Sequence, residues 1–173
     1  MTYFPDLTEY AYTPLAPGDA APKNIGWLGA SVEFETRTPE PEFLERLWLH
    51  CLVSVAQTRG LYECHLCAGK ESNVAQRDGK QLLLGSAEIR VLSRTGDIYA
   101  APNLIYHYVA VHHYAPPKEF VEAVTVGVPP SSKEYFDRLS QLGISWTPTL
   151  TPSPNNLRVR FVRTPEGVKR IEE

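Results

Sequence analysis

The chain has 173 residues, of which 43% are hydrophobic, and it carries a formal net charge of −3 at pH 7. This length allows one domain of ordinary size with a sizeable core, and it excludes two full domains. No basic cluster and no stretch of roughly 20 apolar residues occurs, which argues against a nucleic-acid binder and a membrane protein.

The cysteine content and the N-terminal sequence predict the compartment. The segment MTYFPDLTEYAY lacks the basic and apolar regions of a signal peptide. The chain has three cysteines, an odd number, and two of them share a C-x-x-C spacing that is typical of metal or redox sites. We therefore expect a cytoplasmic protein in a reducing compartment, whose partner is another protein rather than nucleic acid or a membrane.

The first 40 residues are predicted to form an arm that wraps around the core. Their hydrophobic periodicity is weak, and prolines interrupt them at Pro5, Pro14, Pro17, Pro22 and Pro39. Two short strands are predicted here, residues 24–29 (NIGWLG) and residues 31–36 (SVEFET). The second of them alternates apolar and polar residues.

An amphipathic helix is predicted over residues 41–57 (PEFLERLWLHCLVSVAQ). Pro39 and Pro41 suit its start, and Gly60 lies just beyond its end. Cys51 is expected to be a small buried hydrophobic residue of the core-facing stripe. Apolar residues at steps of three and four form this stripe: Phe43, Leu44, Leu47, Trp48, Cys51, Leu52 and Val55.

A β-hairpin and a helix are predicted after the cysteine pair and a polar, glycine-containing stretch. The strands, residues 87–93 (AEIRVLS) and residues 97–101 (DIYAA), flank a turn in which Gly96 suits a positive φ. The helix covers residues 102–113, with Pro102 in its first turn and its apolar residues on one face.

Two further helices and a strand are predicted in the last third of the chain. The helices cover residues 116–124 and residues 131–143, and the second begins with a capping box from Ser131 to Glu134. A proline-rich connection leads to a strand over residues 157–164 (LRVRFVRT), whose arginines are predicted to face away from the core.

Half of a tetrahedral zinc site is predicted in the segment LYECHLC, residues 61–67. Cys64 and Cys67 have the C-x-x-C spacing of a zinc knuckle. A thioredoxin-like redox pair would open a helix, whereas a polar stretch with glycine follows these two cysteines. We therefore expect both cysteines to bind zinc.

The other half of the site is predicted on the helix over residues 102–113. His107 is one candidate ligand, and either His112 or His113 is the other. An H-x4-H pair spans a rotation of about 140° on a regular helix, so the last turn must loosen. Knuckle, hairpin and helix follow in the order of a ββα zinc finger, although the interval exceeds the usual roughly 12–15 residues. Four protein ligands leave no open position, which predicts a structural zinc ion.

The signatures of common catalytic sites are absent from the sequence. There is no H-E-x-x-H, no zinc-deaminase pattern, no G-x-S-x-G and no P-loop. The alternative is a zinc-associated enzyme of unrecognised motif that uses Glu88, Arg90 or His113. Ser86, Glu88 and Arg90 share one face of a strand, where they could serve a binding pocket. An ion pair on a solvated face explains the pattern equally well.

Three segments resemble a group of uncharacterised bacterial proteins. These are LYECHLC (residues 61–67), LGSAEIRV (residues 84–91) and YAAPNLIYHYVAVHHYAPPKEFVEAV (residues 99–124). The likeness covers residues 24–126. It implies a shared zinc-stabilised fold and a bacterial source, and it supplies no reaction.

The same resemblance distinguishes between the two candidate histidines. Cys64, Cys67, His107 and His112 stand at positions that match the group's pattern, whereas His113 falls at a position that the pattern leaves open. The resemblance therefore favours His112 as the fourth ligand.

Taken together, these features predict an α+β fold in which a small antiparallel sheet packs with about four helices. We expect one domain over residues 1–173, made of the arm (1–40), a zinc-stabilised core (41–126) and a C-terminal helix and strand (127–173). The expected function is a non-catalytic protein-interaction module, such as a bacterial immunity or regulatory protein.

Overall fold

A five-stranded sheet lies at the centre of the fold in the computed structural model, which describes residues 2–12, 21–67, 73–148, 159–164 and 167–172. The described strands are β1 (Lys23–Asn24), β2 (Val53–Val55), β3 (Val74–Arg77), β4 (Lys80–Leu83), β5 (Glu88–Leu92), β6 (Ile98–Pro102), β7 (Trp146–Pro148), β8 (Val159–Thr164) and β9 (Gly167–Glu172). The sheet has the order β1-β6-β5-β2-β7, and β3–β4 and β8–β9 form separate two-stranded sheets. Only the β1–β6 pair of the central sheet is parallel, so the sheet is mixed rather than purely antiparallel.

Four helices accompany these strands in the described residues, and with the small sheet they confirm the α+β class. They are α1 (Pro41–Cys51), α2 (Ile105–His112), α3 (Lys118–Val126) and α4 (Lys133–Gln141). Ile89 and Val91 of β5 pack with α1, α2 and α3, whereas Leu92 packs with Tyr135 and Leu139 of α4. Because alternate residues of a strand point to opposite faces, both faces of β5 are covered.

Helix α1 is shorter than the sequence predicts, because its last third belongs to the sheet. The prediction of one helix over residues 41–57 is wrong: α1 ends at Cys51, and β2 follows at once. Val55 pairs with Glu88 of β5, and Val53 pairs with Pro148 of β7. The β-branched residues of β2 favour a strand, and pairing on both sides outweighs the helical spacing.

The predicted hairpin is present as β5 and β6, with Gly96 in its turn at a φ of 102°. The helix after it starts later than predicted. Pro102 is the last residue of β6, where it pairs with Glu88, and α2 begins at Ile105. The Asn103 N–H donates to the Ala87 carbonyl (2.9 Å), which extends the strand pairing past Pro102 and delays the helix.

A second hairpin, β3–β4, lies in the polar stretch where no strand was predicted. Asp78 and Gly79 connect its strands, with φ values of 49° and 73°. Two successive positive φ values are the pattern of a type I′ turn, and Asp-Gly is one of its preferred sequences. The Asp-Gly pair therefore indicates a hairpin, but the residues on either side of it lack the alternation of apolar and polar residues that predicts strands.

The N-terminal arm contains less strand than predicted. Residues 24–29 contribute Asn24 to β1 and an isolated bridge from Trp27 to Phe4. Residues 31–36 contribute an isolated bridge from Thr36 to Tyr114. Asp6 fixes the arm to the core, because its carboxylate accepts hydrogen bonds from the Gly26 N–H (2.8 Å) and the Tyr114 hydroxyl (2.7 Å).

The two helices predicted in the last third of the chain are present, but their ends differ from the predicted ones by two residues: α3 is Lys118–Val126 and α4 is Lys133–Gln141. The strand β7 lies within the predicted proline-rich connection, where no strand was predicted. Ser132, and not Ser131, caps α4, since its Oγ accepts a hydrogen bond from the Tyr135 N–H (3.1 Å). The predicted strand is present as β8, which pairs with β9. Most of the proline-rich connection and the orientation of the arginines lie outside the described residues. No helix in the described part of the chain is long and apolar enough to cross a membrane.

Candidate metal centre

The structure brings the two halves of the predicted site together. Sγ of Cys64 lies 3.2 Å from Nε2 of His112, and Sγ of Cys67 lies 3.2 Å from Nε2 of His107 and 3.3 Å from Nε2 of His112. The two Nε2 atoms are 3.2 Å apart. In the part of the chain that the structure describes, this is the one group of side chains that could hold a metal ion.

The separations of these four atoms fit one ion at their centre. A tetrahedral zinc ion with Zn–S bonds of about 2.3 Å and Zn–N bonds of about 2.0–2.1 Å holds its ligand atoms about 3.3–3.8 Å apart. The observed contacts of 3.2–3.3 Å are slightly tighter, and every pair of ligand atoms lies within 4.8 Å. Two sulfur and two imidazole ligands in this arrangement are characteristic of zinc.

The knuckle, residues 61–67, is fixed to the loop that precedes β5. The Tyr62 N–H donates to the Gly85 carbonyl (2.9 Å), and the Asn73 side-chain amide donates to the Tyr62 carbonyl (2.6 Å). The Gly85 N–H in turn donates to Oδ1 of Asn103 (2.7 Å), just before α2. These hydrogen bonds set the knuckle beside the helix that carries the histidines.

Gly85 allows this close approach. Its φ is 93°, and a Cβ atom at this position would collide with the Tyr62 carbonyl oxygen. Asn73, Gly85 and Asn103 could not be predicted as part of the site, because isolated asparagines and glycines occur in any loop. A glycine just before a strand indicates a positive φ or a close approach of another segment. Which segment approaches Gly85 becomes clear only when the position of the knuckle is known.

The end of α2 has the loosened turn that the H-x4-H spacing requires. His113 adopts a left-handed conformation (φ 56°), and its N–H donates to the Tyr108 carbonyl, five residues earlier. The Tyr114 N–H donates to the same carbonyl (3.1 Å). Wider hydrogen-bonded rings of this kind are typical of π-type turns. The wider turn places His112 on the side of His107, while the His113 side chain is exposed.

Tyr108 forms an aromatic wall beside the cluster. It is fully buried, and its ring centroid lies 6.3 Å from that of His107 and 6.5 Å from that of His112. The pKa of Tyr108 is raised above its usual value, mainly because the hydroxyl is buried and to a smaller extent because Cys64 lies nearby. A neutral apolar shell on one side of a metal site limits solvent access to its ligands.

The remaining cysteine and two further histidines lie outside the cluster. Sγ of Cys51 contacts the Asn103 carbonyl (3.7 Å), and burial raises the pKa of this thiol. His65 lies between the two knuckle cysteines, but its Nδ1 is paired with the Tyr62 hydroxyl at 2.8 Å. His50 is buried, and burial lowers its pKa to about 4.

The alternative set of Glu88, Arg90 and His113 is not brought together. Glu88 and Arg90 form a salt bridge of 2.7 Å, and both residues are buried, at 4% and 3% exposure. The expectation of an ion pair on a solvated face is therefore wrong, because the arm covers that face of β5. Tyr10 of the arm donates its hydroxyl to the Glu88 carboxylate (2.9 and 3.0 Å). No contact among the described residues joins His113 to this pair.

Comparison with known proteins identifies a family and no activity. A family model described as a domain of unknown function (DUF7919) matches residues 2–125 of the chain. The match covers the knuckle, α1, α2 and most of α3, and therefore all four residues of the metal cluster. No curated protein and no solved structure matches the chain.

Proposed function

The chain belongs to the family of the domain of unknown function DUF7919, and we propose that it is a non-catalytic bacterial protein-interaction module held together by one structural zinc ion. The ligands are Cys64, Cys67, His107 and His112. Such a module could act as an immunity or regulatory protein, and its partner would be another bacterial protein.

The observation that carries this proposal is the closed Cys2His2 set. The four side chains would occupy all four coordination positions of a tetrahedral ion, so none would remain for a water molecule or a substrate. A catalytic zinc site keeps one position open for the reacting group. The geometry thus supports a contribution to folding over a contribution to chemistry.

The surroundings of the cluster explain why a metal would be needed there. The knuckle residues 61–67 are exposed or half-buried, so they bury little apolar surface. Hydrophobic contacts alone therefore stabilise this segment weakly. An ion that joins Cys64 and Cys67 to the end of α2 would supply the missing free energy.

A cleft beside the arm is the surface that best suits a protein partner. It has a volume of about 500 Å³ and lies between two parts of the arm, residues 3–6 and 28–37, and the segment that leads into α3. Tyr3 and Val32 line it and are 41% and 38% exposed. Exposed aromatic and aliphatic side chains around a concavity are the usual anchors of protein interfaces.

The metal part of the proposal is tested by elemental analysis and X-ray absorption on untagged protein. We expect close to one zinc ion per chain, with two sulfur neighbours at about 2.3 Å and two nitrogen neighbours at about 2.0–2.1 Å. A folded, metal-free protein with freely titratable thiols would contradict the site. A first shell with an oxygen from water would contradict its structural role.

The partner part is tested by quantitative affinity capture from a lysate of the source organism. The double variant Tyr3→Ala/Val32→Ala removes two cleft side chains, and Val126→Ala is the matched control because Val126 is exposed outside the cleft. We expect one protein to be captured by the wild type and by the control and lost with the double variant. Equal capture by all three proteins would contradict an interface at the cleft.

A further inference from the structure

A second cavity, of about 330 Å³, has none of the four metal ligands in its wall. Its walls come from the arm, the loop after β2, the knuckle and the start of β5. Tyr62 and Glu88 both line it, so the cavity joins the knuckle to the buried ion pair. Its volume suits a small molecule at the lower end of the usual range for ligand sites.

A buried charge in the cavity wall is the first indication of a ligand. Glu88 is only 4% exposed, and its ion pair with Arg90 carries a desolvation cost that apolar side chains of similar size would avoid. Arg90 also lies over the Tyr10 ring at 4.8 Å. The fold thus maintains a carboxylate in a fixed position at the cavity, which is a common feature of binding sites.

The carboxylate retains capacity for another donor. Oε2 of Glu88 accepts from Arg90 (2.7 Å) and from the Tyr10 hydroxyl, whereas Oε1 shares only the Tyr10 hydroxyl (3.0 Å) among the described residues. A carboxylate oxygen has two lone pairs. Ser86, two residues before Glu88 and the start of β5, lines the same cavity and carries a hydroxyl that can also accept a hydrogen bond.

Backbone strain at the cavity is the second indication. Ala56 lines it with a φ of 47°, a left-handed conformation that residues other than glycine seldom adopt. Such conformations are concentrated at binding and catalytic sites, where the surrounding structure maintains them. Ala56 directly follows β2, the strand that pairs with Glu88 of β5.

An aromatic platform at the cavity is the third indication. Tyr12 and Trp27 both line it, and their ring centroids are 5.3 Å apart. Trp27 is buried, whereas Tyr12 is 50% exposed and therefore available to a ligand. Faces of tyrosine and tryptophan rings attract cations and planar groups.

We propose that this cavity binds a small organic cation with a planar head, such as an amidinium or a guanidinium group. The head is recognised by Glu88, with Ser86 as a second acceptor, and the body stacks on Tyr12, whose ring packs against Trp27. Among the described residues that line the cavity there is no lysine, arginine or histidine, so a phosphate or carboxylate ligand would find no cation in the cavity wall. Arg90 is outside this lining, and its guanidinium is already paired with Glu88. The inference concerns a site separate from the zinc ligands and from the proposed partner cleft.

Three ligands of the same shape and different charge test the proposal by isothermal titration with zinc-loaded protein. Benzamidine is the cationic probe, benzamide is its neutral counterpart and benzoate is its anionic counterpart. We expect benzamidine to bind at least about tenfold more tightly than benzamide, since a hydrogen bond to a charged group is roughly twice as strong as a neutral one. Benzoate should not bind. Equal binding of the three probes, or no binding of benzamidine at millimolar concentration, would overturn the proposal.

Variants locate the binding. Tyr12→Ala should weaken benzamidine binding about five- to tenfold through loss of the aromatic face, and Tyr3→Ala is the matched control because Tyr3 is a similarly exposed tyrosine of the arm outside this cavity. Glu88→Gln should abolish the preference for benzamidine over benzamide. If Glu88→Gln fails to fold, titration of the Trp27 indole NMR signal with benzamidine decides. The midpoint should be the same in the wild type and Tyr3→Ala and about five- to tenfold higher in Tyr12→Ala. The same midpoint in all three proteins, or no shift in the wild type, would overturn the site.

Discussion

Sγ of Cys64 lies 3.2 Å from Nε2 of His112, although 48 positions separate the two residues in the sequence. The contact connects a half-buried knuckle with the last residue of α2. It depends on a turn in which the Tyr108 carbonyl accepts hydrogen bonds from two consecutive N–H groups. The direction in which α2 ends therefore decides which histidine can reach the cysteines.

Substitution of the two neighbouring histidines tests this geometry. His112→Ala removes a ligand and should lower both the bound zinc and the melting temperature sharply. His113→Ala is the matched control, because His113 is exposed and a surface substitution typically changes stability by about 0.5 kcal/mol or less. Zinc content by elemental analysis and melting by circular dichroism measure the difference. Equal losses of zinc and stability in both variants would show that His112 is not the specific fourth ligand and would contradict the geometry of the turn at the end of α2.

Gly85 tests how strongly the knuckle depends on its backbone contact. Gly85→Ala should destabilise the protein by more than about 2 kcal/mol, because left-handed strain is combined with a collision against Tyr62. Gly79→Ala is the matched control, since Gly79 also has a positive φ and nothing near a Cβ atom. It should cost about 1 kcal/mol from strain alone.

Chemical denaturation and zinc content measure both glycine variants. We expect Gly85→Ala to lose zinc as well as stability, because Tyr62 precedes the knuckle cysteines. Gly79→Ala should retain its zinc. If the two variants unfold at the same denaturant concentration with the same zinc content, then the contact between Gly85 and Tyr62 does not position the knuckle.

His50 predicts a loss of stability in mild acid. Burial lowers its pKa to about 4 in the folded state from 6.5. Between these values the unfolded chain binds a proton that the folded chain does not bind, so the free energy of unfolding falls as the pH falls. The full loss is on the order of 3 kcal/mol, complete near pH 4, and the stability is restored above pH 6.5.

The variant His50→Gln separates this effect from protonation of the zinc ligands. The His50 ring forms a hydrogen bond with the Arg90 backbone. Glutamine also carries a side-chain N–H that can donate to this backbone, but it does not titrate. Zinc loss in acid affects both proteins equally, so the difference between their free energies of unfolding, measured by denaturation from pH 7 to pH 4, isolates His50. Parallel pH profiles for the two proteins would contradict the assignment.

The link between Asp6 and Tyr114 predicts how the arm is held. Tyr114→Phe removes the 2.7 Å hydrogen bond and leaves a half-buried carboxylate with one fewer donor. The expected cost is about 1.5–3 kcal/mol, the usual value for a hydrogen bond to a charged group. Limited proteolysis should cut the arm faster in Tyr114→Phe than in the control Tyr3→Phe. Identical cleavage rates would show that other contacts fix the arm.

Much of the site could be predicted from the sequence, because its ligands are rare residues with diagnostic spacing. Cys64 and Cys67 define a knuckle by their separation alone, and His107 and His112 lie on a helix with a clear apolar face. The choice of His112 over His113 was open on spacing and was favoured only by resemblance. In the structure, His112 lies in the cluster because His113 adopts a left-handed conformation. The amino-acid type at position 113 does not by itself predict this conformation.

The parts that could not be predicted depend on contacts between distant segments. Leu52 and Val55 continue the helical spacing of α1, yet Val53–Val55 form a strand because β5 and β7 lie on either side. Glu88 and Arg90 alternate as a solvated strand would, yet they are buried because Tyr10 covers them. In both cases the local sequence pattern predicts a structure or an exposure that is not observed. The contacts that determine the observed one come from a distant segment of the chain.

The most direct test of a structural zinc ion is amide hydrogen exchange with and without a chelator at neutral pH. Metal removal should accelerate exchange in residues 61–67 and at the end of α2, whereas α1 (Pro41–Cys51) should stay protected by the core. Such a local change is the result that the closed Cys2His2 set predicts. Exchange that stays the same throughout the chain after zinc has been removed would contradict it, as would an enzymatic activity that disappears with the metal while exchange is unchanged.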